Sequence, residues 1–310
     1  MRRGFPFLAA VPVLLAYALA WAADPVAVMT EIRARHGEVR VKFVGEAEWR
    51  LPEPLLALRP GDQVRASGDG QAVLVFVGAR CAQVVSRANS PFVIQNPTGA
   101  SGSEALTTML ANIAQFLLGQ RREPTYQPLV VRGALAPPPV ILSPRKTRLL
   151  PGPVAFEWHG PDRLRYDIRV FGPEGLLWSQ TEVPVKPLPY PESAPALLPG
   201  VWYAWELEPR GYPAQRAEFE LLTPSEAARV RASLDLLRPG ALAGYPRNTI
   251  VLMRAGFLLQ EGLLDGAQRE LLAAIASDPE ESTLHELLGR VYERLGLRDL
   301  AAGEFAAARP

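Results

Sequence analysis

The stretch LLGRVYERLGLRDLAAGEFAAA, Leu287 to Ala308, places Gly289, Tyr292, Gly296, Ala301, Phe305 and Ala308 at fixed offsets. Moving back 34 residues finds Ala255, Leu258, Gly262, Ala267, Leu271 and Ala274 at the same offsets. Coincidence is a poor explanation for six aligned positions, so the spacing predicts two copies of one helical unit. Small residues let two antiparallel helices approach closely, while Tyr292 and Phe305 fill the space between them. Gly262 and Gly296 fall in the turn inside each copy, and Pro279 separates the copies.

This pattern resembles the tetratricopeptide repeat, a helix-turn-helix unit of 34 residues. Arg254 departs from it, standing where an apolar residue is usual. The resemblance implies a protein or peptide ligand on the concave face of the first helices. By family position that face carries Leu252, Gly256 and Leu259 in one copy, and Glu286, Arg290 and Glu293 in the other. Without the resemblance, those charges read as an ordinary solvated helix face. Two copies are few, because each unit buries its face only against a neighbour. A helix from Ser225 to about Leu237, with Ser225 as N-cap, is placed to cap the array. A second chain would serve as well, which leaves a homodimer through the repeats open.

Upstream, residues 135–223 read as strand after strand. Val154, Phe156 and Trp158 alternate, as do Tyr166, Ile168 and Val170, then Tyr203, Trp205 and Leu207, then Phe219 and Leu221. Short strands at this spacing are the signature of a β-sandwich. Leu198, Pro199, Gly200 and Tyr203 resemble the tyrosine corner of fibronectin type III and immunoglobulin-like domains. LAPPPVILSPRK, from Leu135, is a stiff proline-rich entry to this module. Its Arg145, Lys146 and Arg148 read as a solvated segment before a strand. Trp158 and Trp205 are in phase with core neighbours, whereas Trp178 and Trp202 are the candidates for an exposed, glycan-contacting platform.

Residues 23–134 open with alternation at Val39, Val41 and Phe43. LRPGDQVRASGDGQAVLVF, Leu58 to Phe76, then predicts a turn at Pro60-Gly61-Asp62, a short strand, a hairpin connection at Gly68-Asp69-Gly70 and a returning strand. Leu58, Gly61, Asp62, Val64, Gly70, Ala72, Leu74 and Phe76 resemble the FecR domain, whose members include envelope sensors in iron uptake. The sensors span the inner membrane after a cytoplasmic segment, and no such segment is expected here. Asp62 reads as a turn aspartate bonded to its own backbone. Leu106, Met109, Leu110, Ile113, Phe116 and Leu117 recur at helical spacing and predict a helix over about 103–118, packed on this module or offered to a partner.

Residues 1–22 read as a signal peptide. Arg2 and Arg3 precede an apolar run, and Ala20-Trp21-Ala22 offers a cleavage site before Ala23. Its loss takes the formal charge from +1 to −1, which gives no electrostatic reason to expect nucleic acid. The single cysteine, Cys81, has no partner in the sequence for a disulfide. His36, His159 and His285 lie in different modules with no ligand spacing, so no metal, cofactor or catalytic residue is expected. GASGS at Gly99 to Ser103 lacks the spacing of a nucleophile elbow. The expectation is a multidomain β plus α protein with a FecR-like β module carrying an inserted helix, an immunoglobulin-like sandwich and, over residues 224–310, tetratricopeptide-like hairpins. Exported to the periplasm or cell envelope, it would be a non-catalytic scaffold binding protein. Binding of cell-wall polymer and FecR-like signalling are the alternatives.

Overall fold

The computed structural model describes residues 24–77, 82–96, 104–119, 139–184 and 187–309. The expected signal peptide, Cys81, GASGS and the linker before Pro139 lie outside them.

In the first module, β1 (Ala27–Arg33), β2 (Glu38–Lys42), β3 (Ala57–Leu58), β4 (Gln63–Ser67), β5 (Gln71–Phe76), β6 (Ala82–Val85) and β7 (Phe92–Val93) make two antiparallel sheets. Their orders are β3-β1-β5-β6 and β2-β4-β7. Val39, Val41 and Val64 from one share a core with Met29, Ala72 and Leu74 from the other. The turn at Gly68-Asp69-Gly70 is not a hairpin. Strand β4 pairs with β2 and β7, whereas β5 pairs with β1 and β6, so the turn carries the chain between sheets. There it crosses Gly37 so closely that a Cβ on Gly70 would stand 2.6 Å from Glu38 O, and one on Gly37 2.2 Å from Ser67 O. Only glycine fits at both. Asp62 accepts the Arg59 N–H at 2.8 Å and the Val44 N–H at 3.0 Å, a turn aspartate satisfied by backbone.

Strand β1 has no counterpart in the alternation read from the sequence. Ala27 and Met29 enter the module's own core while Val28 enters a larger one shared with the helices. A strand buried on both faces is an apolar run without period. The helix α1 (Glu104–Gly119) follows, burying Leu106, Leu110, Ile113, Ala114 and Leu117.

The second module pairs β8 (Val140–Ser143), β9 (Thr147–Leu149), β10 (Ala155–His159), β11 (Tyr166–Gly172), β12 (Gly175–Val183), β13 (Leu188–Pro189), β14 (Trp202–Pro209) and β15 (Gln215–Leu221). Two sheets result, β13-β10-β8 and β12-β11-β14-β15-β9, antiparallel except where β9 runs parallel to β15. Phe156 and Trp158 from the first pack with Ile168, Trp205 and Phe219 from the second. The Tyr203 hydroxyl accepts the Leu198 N–H at 2.6 Å, which closes the corner expected there.

Five helices complete the chain: α2 (Pro224–Leu236), α3 (Arg247–Gln260), α4 (Leu264–Ile275), α5 (Ser282–Leu295) and α6 (Arg298–Ala307). The N-cap of α2 is Thr223 rather than Ser225. Its hydroxyl accepts the Glu226 N–H, and the Glu226 carboxylate takes the Thr223 N–H at 3.0 Å, with Pro224 in the first turn where its missing donor costs nothing. The Thr223 hydroxyl, followed by the Arg148 guanidinium, holds the Glu226 carboxyl down to about 2. Thr223→Ala should lower the unfolding free energy in urea by about 1 kcal/mol, and Thr223→Ser should restore most of it.

The repeat of the sequence is a repeat of the backbone. Leu263 N–H donates to Leu258 O at 2.8 Å across Gly262, and Leu297 N–H to Tyr292 O at 2.8 Å across Gly296. The two glycines have φ of 77° and 75°. Arg254, the residue out of pattern, donates to the Glu270 carboxylate of α4 and to Leu234 O of α2 at 3.1 Å, so it pins three helices together. Ala227, Val230 and Leu237 bring α2 and its end into the same core, the covering that two repeats need.

Candidate functional site

Helices α3 and α5, the first of each repeat, lie against each other, and the other modules hold both at both ends. At their C-terminal ends stands the β8–β9 connection. Arg145 Nε donates to Leu295 O at 2.7 Å, and Arg148 N–H donates to Gly262 O at 2.9 Å. Cationic side chains there complement the partial negative charge of helix C-termini. Arg148 also pairs with Glu220 at 3.0 Å. Arg145 and Arg148 are therefore a staple between sandwich and repeats rather than the solvated residues expected from composition, whereas Lys146 between them is exposed.

Helix α1 lies along α3 and packs as well on β1 and β5 of its own module, as one of the two expectations for it had it. A Cβ on Gly256 would stand 3.1 Å from Ile113 Cγ2 and 3.2 Å from Leu117 Cδ2, so the missing side chain is what lets α1 approach α3. Arg290 Nη1 donates to Leu117 O at 3.3 Å. The Arg294 guanidinium lies 5.7 Å from the centre of the Phe116 ring. These contacts hold an amphipathic helix against α3 by apolar side chains, with two guanidinium groups of α5 at its far end.

Leu252, Gly256, Leu259 and Arg290 are thus buried rather than open. Arg290 also binds Glu286 through Nε and Nη2, at 2.9 and 2.8 Å. Glu293 is half-buried, and that burial pushes its carboxyl upward against the pull of Arg290. Of these six, Gly256 and Arg290 meet α1, and Glu286 is tied to Arg290. The structure does not unite Trp178 with Trp202. Trp178 packs between the sheets, 6.4 Å from Phe156 and 5.7 Å from Tyr190 ring to ring, while Trp202 stands 55% exposed.

The N-terminal ends of α3 and α5 meet β1, in contacts that no motif announces. Helix α3 begins at Pro246, which offers no side-chain cap. The buried Glu31 supplies one from 218 residues away, its Oε1 taking the Thr249 N–H at 2.8 Å and the Thr249 hydroxyl at 2.6 Å, with Arg33 on Oε2 at 2.7 Å. Helix α5 has its own cap in Glu281, whose Oε1 also takes the Ile32 N–H at 3.2 Å. Thr283 Oγ1 sits 2.7 Å from Thr30 O and 2.8 Å from Glu281 Oε1. The one trace of this in the sequence is a charge, Glu31, inside an apolar run. Thr30 lies at the break in the β1–β5 register, between Met29 and Glu31.

Among the described residues no group of three or more His, Cys, Asp or Glu is placed to hold a metal ion. His36 and His159 are exposed, and His285 Nδ1 meets Glu304 Oε2 at 2.6 Å. No helix among the described residues is long and apolar enough to cross a membrane. A scan against protein-family models finds no match, and no curated protein matches the sequence.

Proposed function

We propose that this chain is a non-catalytic exported protein of the cell envelope that binds another protein through its helical repeats, with the α3–α5 groove as the seat for an amphipathic helix. The observation that carries this reading is the groove's present occupant. A surface that accepts α1 through a close approach at Gly256 and a carbonyl contact at Arg290 has what helix-in-groove recognition needs. In the same reading the first module is FecR-like, the second immunoglobulin-like, a reading supported by its closed tyrosine corner, and the helices tetratricopeptide-like, supported by their 34-residue repeat.

A labelled peptide spanning residues 104–119, titrated by fluorescence anisotropy, tests the seat. The receptor is the chain with Leu110→Glu and Ile113→Glu, which expels its own α1. Saturable binding is expected, and Gly256→Val added to the receptor should weaken it. A receptor that stays folded yet ignores the peptide would sink the reading.

A further inference from the structure

Two buried carboxyl side chains, Glu31 on β1 and Glu281 at the start of α5, join the first module to the repeats through Thr30, Thr249 and Thr283. The donors in this network fall short. The Thr283 hydroxyl has one hydrogen, yet its oxygen lies at bonding distance from two acceptors, Thr30 O and Glu281 Oε1. Thr249 gives its own hydrogen to Glu31. With Glu281 ionised, one Thr283 contact therefore sets two oxygen lone pairs against each other. A proton on Glu281 removes the conflict, since the acid donates to Thr283 Oγ1 and Thr283 donates to Thr30 O. Glu281 Oε2 meanwhile has no hydrogen-bond partner among the described residues, and the residue is 2% exposed.

We propose that Glu281 is a proton-controlled clamp, closing the first module on the repeats when protonated and loosening that joint when it ionises. The clamp goes beyond the helix-binding reading and does not depend on it. Burial is the main influence on Glu281, pushing its carboxyl up to about 7, with Glu31 adding to the rise and the bonds from Thr283 and Ile32 opposing it. The cleft of about 760 Å³ beside Glu281 carries further charges. Arg33 comes from β1, Arg35 from beyond it, Asp69 from the β4–β5 turn, Arg247 from α3, Asp278 and Glu280 from the α4–α5 connection, and Arg309 from beyond α6. Arg33 is taken by Glu31 and Arg35 by Glu280 at 2.8 Å, so neither neutralises Glu281.

The sign follows from linkage. A carboxyl raised in the folded state stabilises the closed joint fully below its ordinary pKa, and that contribution is lost as pH rises through 7. Hydrogen exchange on the full chain, corrected for intrinsic rates, reads the joint at Ile32, Thr249 and Thr283. These amides should exchange about tenfold faster at pH 8 than at pH 6, and Glu281→Gln should leave them equally protected at both. Protection that ignores pH, or a Glu281→Gln chain that keeps the pH dependence, overturns the clamp. If that variant does not fold, a carboxyl carbon titration of the unaltered chain decides the matter. A Glu281 midpoint near 7 supports the clamp, and one in the ordinary carboxylate range overturns it. Neither measurement requires a partner, so failure of the clamp is distinguishable from failure of the groove.

Discussion

Replacing Gly256 by valine should loosen α1 where it packs on α3. Even the first added carbon would press on Ile113 and Leu117 at 3.1 and 3.2 Å, and both side chains are fully buried with no room to retreat. Two further methyl groups turn a tight contact into overpacking, which costs about 1–3 kcal/mol in cores that cannot relax. Departure of α1 altogether would cost more, since it exposes Leu110, Ile113 and Leu117, each worth roughly 1.5–3 kcal/mol of burial, and frees the Arg290 guanidinium from Leu117 O. The helix should therefore shift and loosen on α3 rather than leave. Hydrogen exchange should show amides 104–119 losing protection while the sandwich keeps its own. Gly256→Ala, which adds one carbon, should give a much smaller loss. Unchanged protection in the valine variant would mean that the groove is more compliant than its geometry indicates.

The second large effect is expected from Glu31→Ala. The substitution takes away both bonds to Thr249 and the partner of Arg33. Pro246 cannot replace the lost cap, so the first turn of α3 keeps a buried N–H without an acceptor. An abandoned buried donor and a lost helix cap together amount to about 2–4 kcal/mol. Urea unfolding of the full chain measures it, and Thr249 should be among the amides whose exchange quickens most. Glu31→Gln keeps an acceptor for Thr249 but sets an amide beside Arg33, so its loss should be smaller. Equal losses for the two variants would show that charge, not capping, is the larger contribution of Glu31.

Several features were legible because they depend on residues close together in the chain. The 34-residue offset between Gly262 and Gly296 predicts two like turns, and the same backbone bond crosses both. The aspartate of the Pro60-Gly61-Asp62 turn bonds a backbone N–H three residues back. Tyr203 reaches Leu198, five residues away. Others failed where a local pattern has two solutions. Glycines around Asp69 suit a hairpin and a change of sheet equally well, and the crossing at Gly37 decides between them. Trp178 and Trp202 look alike as tryptophans outside the clearest core phases, yet one lies between the sheets and the other outside.

By itself, then, the sequence determined that strand-rich stretches come first and helices last, and that two helical turns repeat 34 residues apart, since periodicity and turn chemistry are encoded within a few residues of where they act. Only the tertiary structure decided what the repeats hold. Leu117 and Arg290 are 173 residues apart, and Glu31 and Thr249 are 218 apart. An amphipathic helix states that it needs an apolar surface but not which one. A concave face likewise states a shape without naming its occupant. The docking of three modules brings the two together, and with them the pair of buried carboxyls that no spacing could reveal.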